Sequence, residues 1–126
     1  MKATSDNQLS LKRTIELLEA DILVSNGNLD QGIGSVISSD LISDILMYLE
    51  EDALLLTALV NQQIIRVADM IDIAGIVFVM GKTPEKSMIE MAEEKNVAIS
   101  VTEKTLYEAS GDLYEGGLRP CKYGGS

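Results

Sequence analysis

The chain has 126 residues, 46% of them apolar and 24% charged, a balance that fits one globular domain and excludes a disordered one. Its formal charge of −10, with Arg13, Arg66 and Arg119 its only arginines, argues against nucleic acid or an anionic membrane as partner. Histidine is absent and Cys121 is the only cysteine, which removes His-based triads, His-containing zinc sites and any intrachain disulfide.

In chain order, residues 1–8 are polar and read as a frayed start. Leu11, Ile15 and Leu18 recur at helical spacing and predict a helix over 9–19, followed by a first strand at Asp21 and the ILVS run. Asn26-Gly27-Asn28 tolerate positive φ and predict a turn, after which 32–38 reads as extended. Ser39 or Asp40 is placed to cap a helix whose buried face is Leu41, Ile42, Ile45, Leu46 and Leu49. Glu50-Glu51-Asp52 should lie beyond its last turn, because acids at a helix C-terminus oppose the macrodipole.

From there the pattern repeats. Apolar runs begin at Ala53, Gly75 and Val97, each 22 residues after the last, and each gives way to a polar turn and an amphipathic helix, over 62–72, 84–95 and 103–114. Continuously apolar strands alternating with helices predict an α/β fold: a single layered domain with a mostly parallel sheet of about five strands flanked by helices. In the middle unit Thr83 reads as the N-cap and Pro84 as the first helical residue, with Met88, Met91 and Ala92 as the buried stripe. Gly116-Gly117 should end the last helix, leaving 116–126 as a flexible tail.

In a parallel sheet the turns after the strands open on one edge, so a ligand site should gather at 57–61, 81–83 and 100–102. Thr57, Asn61, Gly81, Lys82, Thr83 and Thr102 are the candidate binding residues there. Gly81-Lys82-Thr83 does not complete a phosphate-binding P-loop. Position 76 is Ile, and IVFV is a strand rather than a glycine-rich loop. A helix N-terminus with Lys82 beside it suits a simpler anion site, while an N-cap with a solvated lysine explains the same residues.

Other candidates have plainer readings. Asp40 and Asp44 with Ser39 and Ser43 offer oxygen ligands to a cation but equally suit a helix first turn. Asn61, Gln62 and Gln63 can hydrogen-bond a ligand or cap a helix. Cys121, between basic residues, reads as an inert thiol or one with a lowered pKa. Tyr107 and Tyr114, seven apart on one helix, read as packing or interface residues rather than an aromatic ligand box.

The stretch GIVFVMGKTPEKSMIEMAEEKNVAISVTEKTLYEA resembles the DRTGG domain family, most clearly over 73–109 within a likeness spanning roughly 10–115. The family's Asp-Arg pair falls at Val60-Asn61 and its Thr-Gly-Gly triplet at Met80-Gly81-Lys82, where Gly81 is the match. The resemblance implies a compact α/β domain over 9–115, similar to the N-terminal domain of HPr kinase/phosphatase, that dimerises and regulates while neighbouring domains such as phosphotransacetylases catalyse. For a stand-alone member ending in LYEGGLRPC it implies an accessory role in anaerobic redox systems such as iron-only hydrogenase clusters.

The expectation is therefore a non-catalytic, cytoplasmic regulatory or small-ligand-sensing homodimer. No catalytic residue, cofactor or metal set is assigned. No apolar run approaches the roughly 18 to 20 residues that span a bilayer, and Lys2 is followed by Ala-Thr-Ser-Asp rather than a secretion segment. The expected ligand is an anionic metabolite or nucleotide. The alternative is a docking module for an oxidoreductase or kinase, using the acidic surface and the tail.

Overall fold

The apolar runs at Ala53 and Gly75 become neighbouring parallel strands, and the helices after them cover one face of the sheet they share. The computed structural model describes residues 9–122; the frayed start expected at 1–8 lies outside them. The order is α1 (Leu11–Leu17), β1 (Asp21–Val24), β2 (Ser35–Ser38), α2 (Ile42–Tyr48), β3 (Ala53–Thr57), α3 (Gln62–Ile71), β4 (Gly75–Phe78), α4 (Lys86–Lys95), β5 (Ile99–Val101) and α5 (Leu106–Glu115).

The five strands lie in the order β1-β5-β4-β3-β2. β2 through β5 are parallel, with Leu54 opposite Gly75 and Ile76 opposite Ile99, and β1 closes the far edge antiparallel to β5. The mostly parallel sheet is as expected, with one antiparallel edge strand. Each crossover from β2 to β5 steps the same way across the sheet, and a constant right hand then delivers α2, α3 and α4 to one face. Ile45, Ile64, Ile65, Met88 and Ala92 from those helices pack with Leu55, Ile76, Phe78 and Ile99.

The opposite face belongs to α1 and α5. Leu11, Ile15, Leu18, Ala109 and Leu113 cover Leu54, Leu56, Val77 and Ala98, so alternate residues of one strand enter different cores. Both faces of β3 and β4 are therefore dry, and each of their strand residues is buried.

Several boundaries differ from the sequence reading. The last strand begins at Ile99 rather than Val97, and α4 begins at Lys86 with Glu85 as its N-cap. Thr83 does not cap it; its hydroxyl donates back to the Gly81 carbonyl at 3.3 Å, and Pro84 precedes the cap instead of following it. Asp40 does not cap α2 either. Leu41 holds that position without a side-chain bond, and the Asp40 carboxylate reaches the end of β3 instead. Glu50, Glu51 and Asp52 do lie beyond α2, which ends at Tyr48.

Gly116 and Gly117 end α5 as expected, but the segment beyond is docked through Lys122. Leu118 is buried against the α1–α5 core. The Val36 amide donates to the Arg119 carbonyl at 2.8 Å and the Cys121 amide to the Val36 carbonyl at 2.9 Å, adding a short parallel bridge to the outer edge of β2.

Leu56 faces the α1–α5 core with no exposure. Leu56→Ala should cost about 2–5 kcal/mol, because the rigid strand cannot collapse to fill the space. Urea denaturation followed by circular dichroism checks this.

Candidate functional site

The turns after β3, β4 and β5 meet at one edge of the sheet, with the N-termini of α3 and α4 side by side on the same face. There Gln62 Nε2 lies 3.5 Å from Ser87 Oγ. The edge also contains a change of direction: the chain leaves β4 for the α2–α4 face and leaves β5 for the opposite one. Between strands whose connections part in this way, α/β sheets open the crevice where ligands bind.

Here the crevice is bridged by main chain. Met80 and Gly81 both have positive φ, 56° and 67°, and form a tight turn closed by the Lys82 amide on the Val79 carbonyl at 3.1 Å. The Met80 amide donates to the Lys104 carbonyl at 2.8 Å, the Gly81 amide to Thr102 at 2.9 Å, and the Thr102 amide to Phe78 at 2.9 Å. Three successive amides that could have cradled a phosphate thus donate inside the protein. Met80 holds a left-handed conformation that costs a residue with a Cβ about 1 kcal/mol, sustained by these bonds.

The six candidates lie on or beside this edge and divide by how their polar atoms are used. Thr57 is buried; its hydroxyl donates to Asp40 Oδ1 at 2.9 Å and accepts from the Leu59 amide at 3.0 Å. Thr102 is buried too, donating to the Leu18 carbonyl at 2.7 Å and accepting from the Lys104 amide at 3.2 Å. Asn61 caps α3, its side-chain oxygen accepting from the Gln63 amide at 2.7 Å. Gly81 supplies the turn, and Lys82 and Thr83 stand exposed beside it. Asp40, read from the sequence as a cap or cation ligand, also accepts the Ala58 amide at 2.7 Å and so braces the β3 turn.

A second concavity was not foreseen. A groove of about 750 Å³ runs between the outer side of α5 and the β2 edge, lined by Val36, Tyr107, Ser110, Gly111, Tyr114 and Leu118 among others. Tyr107 is 87% exposed and Tyr114 66%, so neither packs within the chain. The helix that presents them is well anchored. Thr105 and Glu108 form a reciprocal capping box, and Ser110 meets Ser38 across the groove floor at 2.7 Å. Lys104 pairs with Asp112 at 3.0 Å, and its hydrogen bond to that carboxylate holds the ammonium pKa above its ordinary value. Tyrosine exposure depends on which face α5 turns to the sheet, and the period of Ala109 and Leu113 was the signal that could have shown it.

Cys121 is half-buried with its sulfur 3.2 Å from Ser35 Oγ. Burial pushes its thiol pKa up and Glu50 adds to that, against the hydrogen bond to Ser35, so the basic flanking residues do not activate it. Among the described residues no cluster of three or more His, Cys, Asp or Glu could hold a metal ion, and no helix is long and apolar enough to cross a membrane.

The sequence pattern of the DRTGG domain matches residues 14–115. No curated protein matches the chain at a significant level. Among solved structures it is similar to the CBS and DRTGG domains of the regulatory region of Clostridium perfringens pyrophosphatase, complexed with the activator diadenosine tetraphosphate. The TM-score is 0.72 at 17% identity, covering 91% of this chain and 51% of that one, so this chain spans about half the neighbour's length and the likeness speaks to the fold.

Two outcomes follow from the geometry. Thr57→Val should destabilise the protein by about 1–3 kcal/mol, since it strips a partner from Asp40 and from the Leu59 amide; chemical denaturation with no ligand added measures this. The bonds from Thr105, backbone first, hold the Glu108 carboxyl below its usual range. A depressed folded-state pKa gives stability that is present above the unfolded value and lost as pH falls through the folded one. Glu108→Gln should therefore be less stable than wild type at neutral pH, with the gap closing as the pH drops below about 4 in parallel urea titrations.

Proposed function

This chain belongs to the DRTGG domain family, and from that premise we propose that it is a non-catalytic regulatory module that senses a small anionic ligand. The family match over residues 14–115 is the observation that carries the reading. The Clostridium perfringens neighbour supports the ligand class, because its CBS and DRTGG domains belong to a regulatory region complexed with a nucleotide activator.

The sheet edge is the proposed site. Its positive character comes from Lys82 and from the N-termini of α3 and α4, whose dipoles point the same way at adjacent positions. Lys82 and Thr83 are the groups placed to touch a phosphate, with Asn61 beside them. Thr57, Gly81 and Thr102 shape the edge, their main bonding capacity being spent on its own turns. Binding there would bias the bridge between the β4 and β5 turns, which links both cores through Thr102 and Leu18. The family resemblance suggests an oxidoreductase of anaerobic metabolism, or a kinase, as the enzyme regulated.

Thermal-shift measurement against adenine mononucleotides, diadenosine polyphosphates and pyrophosphate tests the proposal. A ligand at 100 times its Kd should add about 2.7 kcal/mol to the folded state. Lys82→Ala should weaken the binding that is found by at least severalfold. An unchanged affinity removes Lys82 from the site, and no stabilisation by any of these compounds at millimolar concentration removes the ligand class.

A further inference from the structure

We propose that the outer face of α5 receives α5 of a second copy of this chain, the two helices antiparallel and crossing at Ser110 and Gly111. The proposal does not rest on the ligand reading, since Lys82 and Thr83 do not line this face.

The first argument is a glycine with no use inside the protomer. Gly111 sits in the middle of α5, where glycine is a poor helix former. Yet a Cβ built there meets nothing within 4 Å, so neither internal packing nor backbone conformation calls for it. Glycine on an open helix face lets another backbone approach closely.

The second argument is symmetry. Tyr107 stands three residues before Ser110, and Tyr114 stands three residues after Gly111. A two-fold axis through that pair sets Tyr107 of each copy beside Tyr114 of the other, so the same patch serves both sides, as an isologous interface demands. Both rings are exposed in the single chain, and exposed tyrosines are the side chains that interfaces favour.

Charge points to the same occupant. Two copies of a chain of net charge −10 repel over most of their surface. Along this groove Lys104 and Arg119 stand among Glu108, Asp112 and Glu115, so the face is close to balanced and two copies can meet there with little repulsion. The flanking chain is also fixed in advance, by the capping box at Thr105 and the docked Arg119 carbonyl, so association orders few side chains.

Sedimentation equilibrium of the full chain over the micromolar range tests this. Wild type should be a dimer. Tyr107→Ser combined with Tyr114→Ser should raise the dimer dissociation constant at least tenfold while the circular dichroism spectrum stays unchanged. Gly111→Ala should raise the urea midpoint of the dilute monomer and weaken the dimer, and Gly111→Arg should abolish the dimer. On a Cys121→Ser background, Ser110→Cys should form an intermolecular disulfide under mild oxidation. A wild-type chain that stays monomeric throughout overturns the proposal, as does a dimer whose dissociation constant ignores the tyrosine pair. A Gly111→Ala protein that gains stability while dimerising as before overturns the crossing at Gly111.

Discussion

Everything in this protein is arranged around one demand: β3 is buried at all five positions, from Ala53 to Thr57, and cannot be left facing water on either side. The winding of the chain answers half of that demand automatically. Three right-handed crossovers moving in one direction lay α2, α3 and α4 on a single face, so the other face has to be closed by segments from outside the repeat. The first and last described helices close it. This is why Leu11 and Leu113, about a hundred residues apart in the chain, share a core, and why the ends of the domain are tied together across the sheet.

The same asymmetry creates the candidate site. Because β5 feeds α5 on the far face while β4 feeds α4 on the near one, their turns diverge, and the protein spans the gap with backbone hydrogen bonds between the 78–81 and 102–104 segments. A cleft that would ordinarily be open is held by internal donors. The hydroxyls that looked available in the sequence, Thr57 and Thr102, are part of that bracing, while the exposed polar groups sit at its rim.

The fold was legible in the sequence because burial on two faces leaves continuous apolar runs, and the 22-residue spacing of Ala53, Gly75 and Val97 marked successive strand-helix units. The site was less so. Asp40 bonds Thr57 across 17 residues, and that contact exists only once the parallel register of β2 and β3 is set. The misplaced start of α4 has a local cause: the left-handed pair Met80-Gly81 turns the Thr83 hydroxyl back on the turn, so a residue with good capping chemistry is not positioned to cap. The direction of β1 was not legible either, since an apolar tetrad carries no sign of whether it will run with or against its neighbour.

The segment beyond α5 has a role that its composition hides. By taking the free hydrogen-bonding side of Val36, Arg119 and Cys121 occupy the register that an incoming strand would use to extend the sheet beyond β2. Open strand edges invite uncontrolled growth, and here a few residues without secondary structure of their own plug one. The C-terminal segment thus works as a stopper, confining self-recognition to helical surfaces and keeping a sheet built of aggregation-prone runs finite.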